Sequence, residues 1–302
     1  MKPVNASDTG HTQPICTLDN GFSLMMGRLR TLVLFLAMIL IMSAIGWFSA
    51  GFWGVSPVLS IGIFALLAGG MNVVFYFYSD KMVLKSYRAV IVTPQQAPRL
   101  HRIVDGVVSK SGIPKPRVAI IPTAQPNAFA TGRSPKHAVI AATEGILQLL
   151  EDDELEGVIA HEISHVKNRD TLVMTVAATM AAVISFAARM LIFSRDRNMN
   201  PLVAILIMLT APLAAFLVQL AISRSREFKA DATGAKMIGG GEPLAKALLK
   251  MEAGAHARPM TRGSPATSSL FIVNPFRSGG MSAMFSTHPK TEERVRRLRR
   301  VP

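Results

Sequence analysis

The run His161-Glu162-Ile163-Ser164-His165 sets two imidazoles four residues apart. On a helix those positions share one face, so both side chains can reach a single metal ion. Glu162 stands one residue beyond the first imidazole, off the coordination line. From there a carboxylate can take a proton from a metal-activated water and deliver it to a leaving amine. A catalytic zinc takes three protein ligands and keeps one position open. The sole cysteine, Cys16, supports no Cys-rich zinc module, so the third ligand must be His, Asp or Glu. Glu227, in Ser223-Arg-Ser-Arg-Glu-Phe-Lys-Ala-Asp231, is the leading candidate. Asp231 lies one turn further along the same face, where it could accept the second ring N–H of a ligand imidazole and fix its tautomer. Standing alone, Glu227 and Asp231 would read as an exposed turn paired with Arg226 and Lys229; the histidine pair gives them a metal reading. The chemistry indicated is metal-assisted hydrolysis.

Such ligands need a helix and a scaffold to hold it. Asp152-Asp153-Glu154 puts three carboxylates where a helix N-terminus favours them, and Leu155, Val158, Ile159 and Val166 mark the buried side of the helix that follows. Upstream, Arg99–Ser111 is amphipathic, with Leu100, Ile103, Val104, Val107 and Val108 at helical spacing. Val118–Ile121, Ala128–Thr131 and Ala138–Ala142 are short apolar runs bounded by Pro and Gly, which predicts strands. Thr143 can cap a short helix through Leu150. Residues 258–283, rich in Ser, Gly and Pro, predict a long mobile loop. His11, His101, His137 and His256 lack a partner at useful spacing and read as solvated surface residues.

Of the 302 residues 50% are hydrophobic and 17% charged, and mean hydropathy is +0.34. That excludes a disordered chain and is too apolar for an ordinary soluble domain. Four segments are long and apolar enough to span a bilayer: Thr31–Phe48, Val55–Tyr78, Thr171–Phe193 and Pro201–Ser223. The first follows a polar stretch and is followed closely by the second, which is unlike a secretory signal peptide. If all four cross, Arg28, Arg30, Lys81, Lys85, Arg88, Lys167, Arg169, Arg224, Arg226 and Lys229 fall on one side. Only Arg189, Arg195 and Arg197 fall on the other. An excess of Lys and Arg marks the cytoplasmic side. The second pair could equally form a shallow hairpin, which would return the chain to the same face. The net charge of +14 is concentrated toward the C-terminus, where residues 224–302 carry 15 basic and 6 acidic side chains. No zinc-finger spacing or aromatic RNA-binding strip accompanies them, so the expected partner is the bilayer and not nucleic acid.

The ensemble of motifs resembles the HtpX family of membrane-bound zinc metalloproteases, relatives of the Ste24 CAAX proteases in the M48 class. The likeness covers residues 28–302: two N-terminal spans, the HEISH helix, two further spans, the Glu227-Phe-Lys-Ala-Asp231 helix and the His288-Pro289 motif. The resemblance implies one zinc per chain held by His161, His165 and Glu227, with Glu162 as general base and acid. It implies proteolysis of misfolded or damaged membrane proteins, or other unfolded polypeptides, at the cytoplasmic face of the cell membrane. Asn127-Ala-Phe-Ala resembles the family's edge strand beside the cleft, which implies that Asn127, Ala128 and Phe129 bind substrate backbone. The His-Pro element implies that His288, with Arg294, approaches the oxyanion of the scissile carbonyl.

The expected fold is α+β: a polytopic helical membrane protein with a cytoplasmic, gluzincin-type domain. Its parts are a flexible tail (1–27), a transmembrane pair (28–78), a catalytic segment (79–170), a second membrane-embedded pair (171–223) and the rest of the catalytic domain (224–302). The alternative from another class is a membrane chaperone or scaffold with a purely structural zinc. Structural zinc sites are usually closed four-ligand shells, so three ligands with an adjacent carboxylate favour the enzyme. The sequence leaves the oligomeric state open.

Overall fold

The computed structural model describes residues 16–193, 212, 216–218, 223–257, 259–260, 265–276 and 289–301. Helix α1 (Cys16–Trp53) and helix α2 (Pro57–Ser86) form an antiparallel hairpin. Stretches Gly27–Trp47 and Pro57–Ser86 within them are long and apolar enough to cross a membrane. The hairpin closes where small residues let the backbones meet: Ser60 Oγ donates to Gly46 O at 2.6 Å, and a Cβ on Gly46 would sit 2.9 Å from Ser60 O. Further along, Asn72 Nδ2 donates to Phe35 O at 3.1 Å. Helix α1 starts inside the segment expected to be a flexible tail. The reason lies in Leu18, Phe22, Leu24, Met25 and Met26, which extend the apolar helical pattern upstream.

A four-stranded sheet follows, in the order β1 (Val90–Ile91), β2 (Arg117–Ile121), β4 (Val139–Thr143), β3 (Ala128–Thr131). Strand β2 runs parallel to β4, and β1 and β3 pair antiparallel to their neighbours. The three longer strands lie where the apolar runs predict them; the two-residue β1 carries no such signal. Both faces of the sheet are covered. Phe129, Val139, Ala141, Ala119 and Ile121 join a core shared with α1, α2 and α6 (Asp170–Phe193), while Ala128, Ala130, Ile140, Ala142 and Val118 join a second core. That second core is built on α3 (Pro98–Ser111), α5 (Asp152–Lys167), α8 (Glu242–Ala257) and α9 (Thr291–Leu298). Burial on both sides is why these strands read as continuous apolar runs and not as alternating ones.

The caps follow the local sequence. Thr143 Oγ1 accepts from Ile146 N at 3.1 Å and starts α4 (Glu144–Leu149). Glu151 and Glu154 form a reciprocal capping box at the start of α5. Helix α7 (Arg224–Ile238) begins directly after the fourth apolar segment, most of which lies outside the described residues.

Two expectations are corrected. His101 is buried, with Nε2 3.0 Å from Val92 O, so it fastens α3 to the strand exit. Within the expected mobile loop, residues 265–276 are packed. A 3-10 turn (Pro265–Leu270) lies against α6, and Phe271 stacks edge-on with Tyr87 and Phe129 at 5.0 and 5.1 Å. The Tyr87 and Thr267 hydroxyls are hydrogen-bonded to each other. The apolar quartet Leu270-Phe271-Ile272-Val273, embedded in a polar stretch, drives this docking.

Candidate metal centre

Helix α5 presents His161 and His165 to the first turn of α7, which carries Glu227. Helix α7 can approach because Gly234 has no side chain: a Cβ there would lie 2.9 Å from His161 N and 3.0 Å from Ala160 C. The result is convergence of three donors. His161 Nε2 and His165 Nε2 are 3.2 Å apart, and Glu227 oxygens stand 3.5 Å from His165 Nε2 and 3.9 Å from His161 Nε2. All three residues are buried, and one ligand atom from each lies within 4.8 Å of the others. Two nitrogens bound about 2.05 Å from a tetrahedral ion would be about 3.3 Å apart, so this spacing fits zinc. The N, N, O donor set suits it as well.

The carboxylates behind the imidazoles set their chemistry. His161 Nδ1 donates to Asp231 Oδ1 at 2.9 Å, which leaves the Nε2 lone pair facing the centre. Arg294, only 1% exposed, grips Asp231 with Nε–Oδ2 and Nη2–Oδ1 distances of 2.9 and 2.7 Å, and its Nη1 donates to Ile272 O at 3.1 Å. Asp170, the first residue of α6, places Oδ2 3.5 Å from His165 Nδ1, an ion-pair distance longer than a good hydrogen bond. Its other oxygen is 3.3 Å from Arg226 Nη1 and 3.9 Å from Arg30 Nη1 on α1. Asp170 thus connects a membrane helix to the site. Sequence reasoning missed it, although a carboxylate at the mouth of an apolar run is costly enough to signal a role.

Burial pushes the His161 imidazole down to about 4, against the pull of Asp231, so it is neutral. Burial also works against protonation of His165, but Asp170, Glu227 and Glu162 outweigh it and raise that imidazole to about 9. Burial, with the charge of Glu227 adding to it, pushes Glu162 up to about 8. For Asp231 burial favours the neutral acid, yet Arg294 and His161 prevail and hold it down to about 2. Asp170, Glu227 and Glu162 surround His165 with carboxylates, whose charge a dication would offset.

Other expected site residues fall as follows. Glu162 is buried on α5 and accepts a hydrogen bond from the Ala130 backbone N–H. The Asn127 side chain, expected to meet substrate, is turned to the chain itself: Nδ2 donates to Val273 O at 2.6 Å, and Oδ1 accepts from Ala128 N at 3.1 Å and Val273 N at 3.4 Å. Ala128 O accepts from Ile272 N at 3.4 Å, so at this point the edge of β3 is lined by residues 272–273. Phe129 packs in the aromatic cluster on the opposite face of the sheet. The Arg294 guanidinium is engaged by Asp231, behind His161. His288 lies outside the described residues.

The chain is similar to known proteins. The sequence pattern of Peptidase family M48 matches residues 94–301. A protein named "Protease HtpX homolog" from Pyrococcus furiosus is 51% identical over 282 residues, 91% of this chain and 95% of its own. One of the same name from Salinibacter ruber is 48% identical over 275 residues, 90% of this chain and 97% of its own. Among solved structures, S. mikatae Ste24p aligns with a TM-score of 0.48 at 18% identity, over 92% of this chain and 66% of that one.

Proposed function

This chain belongs to peptidase family M48 and is a membrane-bound metalloendopeptidase, and we propose that its metal is zinc, held by His161, His165 and Glu227. The observation that carries the assignment is the convergence of these three buried donors at spacings that suit a tetrahedral ion, with Asp231 and Asp170 behind the two imidazoles. A bound zinc would polarise the scissile carbonyl and acidify the attacking water. Glu162, next to His161 and fixed by the Ala130 N–H, accepts the proton from that water and hands it to the leaving amine. Asp231 keeps His161 in the tautomer that leaves Nε2 free, and Arg294 keeps Asp231 ionised and in place.

The proposed substrates are unfolded segments and loops of damaged membrane proteins, cleaved at the cytoplasmic face. Support comes from how closely the ligand helices adjoin apolar segments along the chain. Helix α5 ends at Lys167 and α6 begins at Asp170, while Glu227 is in the first turn of α7, just after the fourth apolar segment. At 1.5 Å per residue both ligand helices reach apolar segments within about 10 Å of the site. Bonds deep in the bilayer should be out of reach unless drawn out first.

Two measurements test this reading. Detergent-purified protein should cleave casein, lose activity on chelation and regain it when zinc is added back; activity that persists after complete metal removal would rule out the mechanism. For topology, Cys16 is replaced and single cysteines are introduced at Asn168, Asn198 and Ser225 in sealed vesicles. Positions 168 and 225 should label from the cytoplasmic side; labelling from opposite faces would mean they cannot flank one metal site.

A further inference from the structure

A cavity of about 340 Å³ lies between α1, α2, the turn after β3 and the turn joining α5 to α6. Arg28, Arg133 and Arg169 line it, with Leu32, Tyr76 and Leu172 among its apolar walls, and among the described residues no acidic side chain lines it. Among the described residues Arg28 and Arg169 make no ion pair. Arg133 is oriented without being neutralised: its guanidinium lies 5.3 Å from the centre of the Phe77 ring, and Nη2 is 3.0 Å from His137 Nε2. Arg169 takes φ +59 at the turn between α5 and α6, and its side chain is exposed. Three guanidinium groups around one cavity offer an anion several charged donors at once.

The surroundings specify what kind of anion. Gly27, also in the wall, begins the apolar stretch Gly27–Trp47, and Tyr76 lies in Pro57–Ser86, so the cavity sits at the end of the spans, where headgroups meet acyl chains. From its rim Leu32, Leu36 and Leu40 run along α1 at i, i+4 spacing, 53%, 49% and 69% exposed. A free phosphate would use the arginines and leave this apolar row bare. A zwitterionic lipid would bring a cation of its own toward the arginines.

We propose that the cavity binds the headgroup phosphate of an anionic phospholipid through Arg28, Arg133 and Arg169, with an acyl chain along the Leu32–Leu36–Leu40 row. The inference rests on the membrane placement of α1 and α2 and is independent of their orientation and of the peptidase chemistry. Two wall residues flank Asp170 in the chain. Arg169 immediately precedes Asp170, and Thr171 Oγ1, another wall residue, donates to Gly132 O at the end of β3 at 3.0 Å.

The test is native mass spectrometry of the delipidated full chain in detergent, titrated with dioleoylphosphatidylglycerol, dioleoylphosphatidylcholine or inorganic phosphate. One phosphatidylglycerol should be retained, at least about tenfold more tightly than phosphatidylcholine, and millimolar phosphate should not displace it. The R28Q/R133Q/R169N variant should lose at least about tenfold in that affinity; asparagine at 169 tolerates the left-handed backbone. Should that variant fail to fold, L32W carries the test, because it keeps every charge yet fills the cavity and should also weaken binding. A variant with the same charge lost elsewhere, K246Q/R296Q/R300Q, should bind as wild type. Equal retention of the two lipids, displacement by phosphate, unweakened binding by the folded cavity variants, or equal loss in the charge control would each overturn the proposal.

Discussion

Replacing Gly234 by alanine should pull the metal ligands apart without touching any of them. The new Cβ would lie 2.9 Å from His161 N, 3.0 Å from Ala160 C and 3.2 Å from Ala160 O. All three are backbone atoms of α5, so no rotamer change relieves the contact. Ordinary contact starts near 3.4 Å, and the helices must therefore separate by about 0.5 Å. Two opposing terms act on stability. Alanine gains about 1 kcal/mol over glycine in a helix interior, and overpacking costs about 1–3 kcal/mol, for a net loss between nothing and about 2 kcal/mol. Metal affinity is more sensitive. Glu227 lies two turns away on the same face of α7, and metal–ligand distances tolerate only about 0.2 Å. Zinc binding measured by chelator competition should weaken at least about tenfold, with a modest change in the thermal unfolding of the metal-free protein. If Gly234→Ala binds zinc within twofold of wild type and is more stable by the full helix-propensity gain, close approach of α5 and α7 does not set the ligand spacing.

Asp231→Ala removes the partner of a buried arginine as well as the support of His161. The metal-free protein should lose about 3–5 kcal/mol in denaturant unfolding, and zinc affinity should fall about 10–100-fold; unchanged values would make Asp231 a bystander. Asp170→Ala leaves every proposed ligand in place, yet should weaken zinc binding by about tenfold in the same competition assay, and no effect would show that His165 needs no support from α6. Asn127→Ala strands the backbone N–H and C=O of Val273, which should cost about 1–3 kcal/mol by chemical denaturation; a neutral result would mean that residues 265–276 are held by their aromatic contacts alone.

The parts of the molecule readable from sequence are those set by local rules. Four-residue spacing puts His161 and His165 on one face whatever surrounds the helix, and the same spacing puts Glu227 and Asp231 on one face of α7. The strands stand out because both sheet faces are buried. What depends on distant partners is not readable in this way. Asp170 reaches His165 only because Asn168 and Arg169 turn the chain, and the left-handed Arg169 bears no glycine to announce it. Arg294 looks like one member of a basic run, and its burial follows from Asp231 lying 63 residues upstream. Asn127 reads as an exposed edge residue until Val273, 146 residues on, meets its amide. Sparse apolar residues within the Ser-rich stretch were enough to dock residues 265–276, because the cluster they join was already formed by Tyr87 and Phe129.

The proposed centre holds one zinc on His161, His165 and Glu227, with Glu162 beside it as the proton carrier. The most direct test is Glu162→Gln, nearly identical in shape at a buried position, with zinc content by elemental analysis and casein cleavage measured on the same preparation. One zinc per chain should remain, as in wild type, with cleavage reduced by about 10²–10⁴-fold. Cleavage near the wild-type rate with zinc bound would contradict the role of Glu162, and loss of the zinc would show that Glu162 belongs to the ligand set.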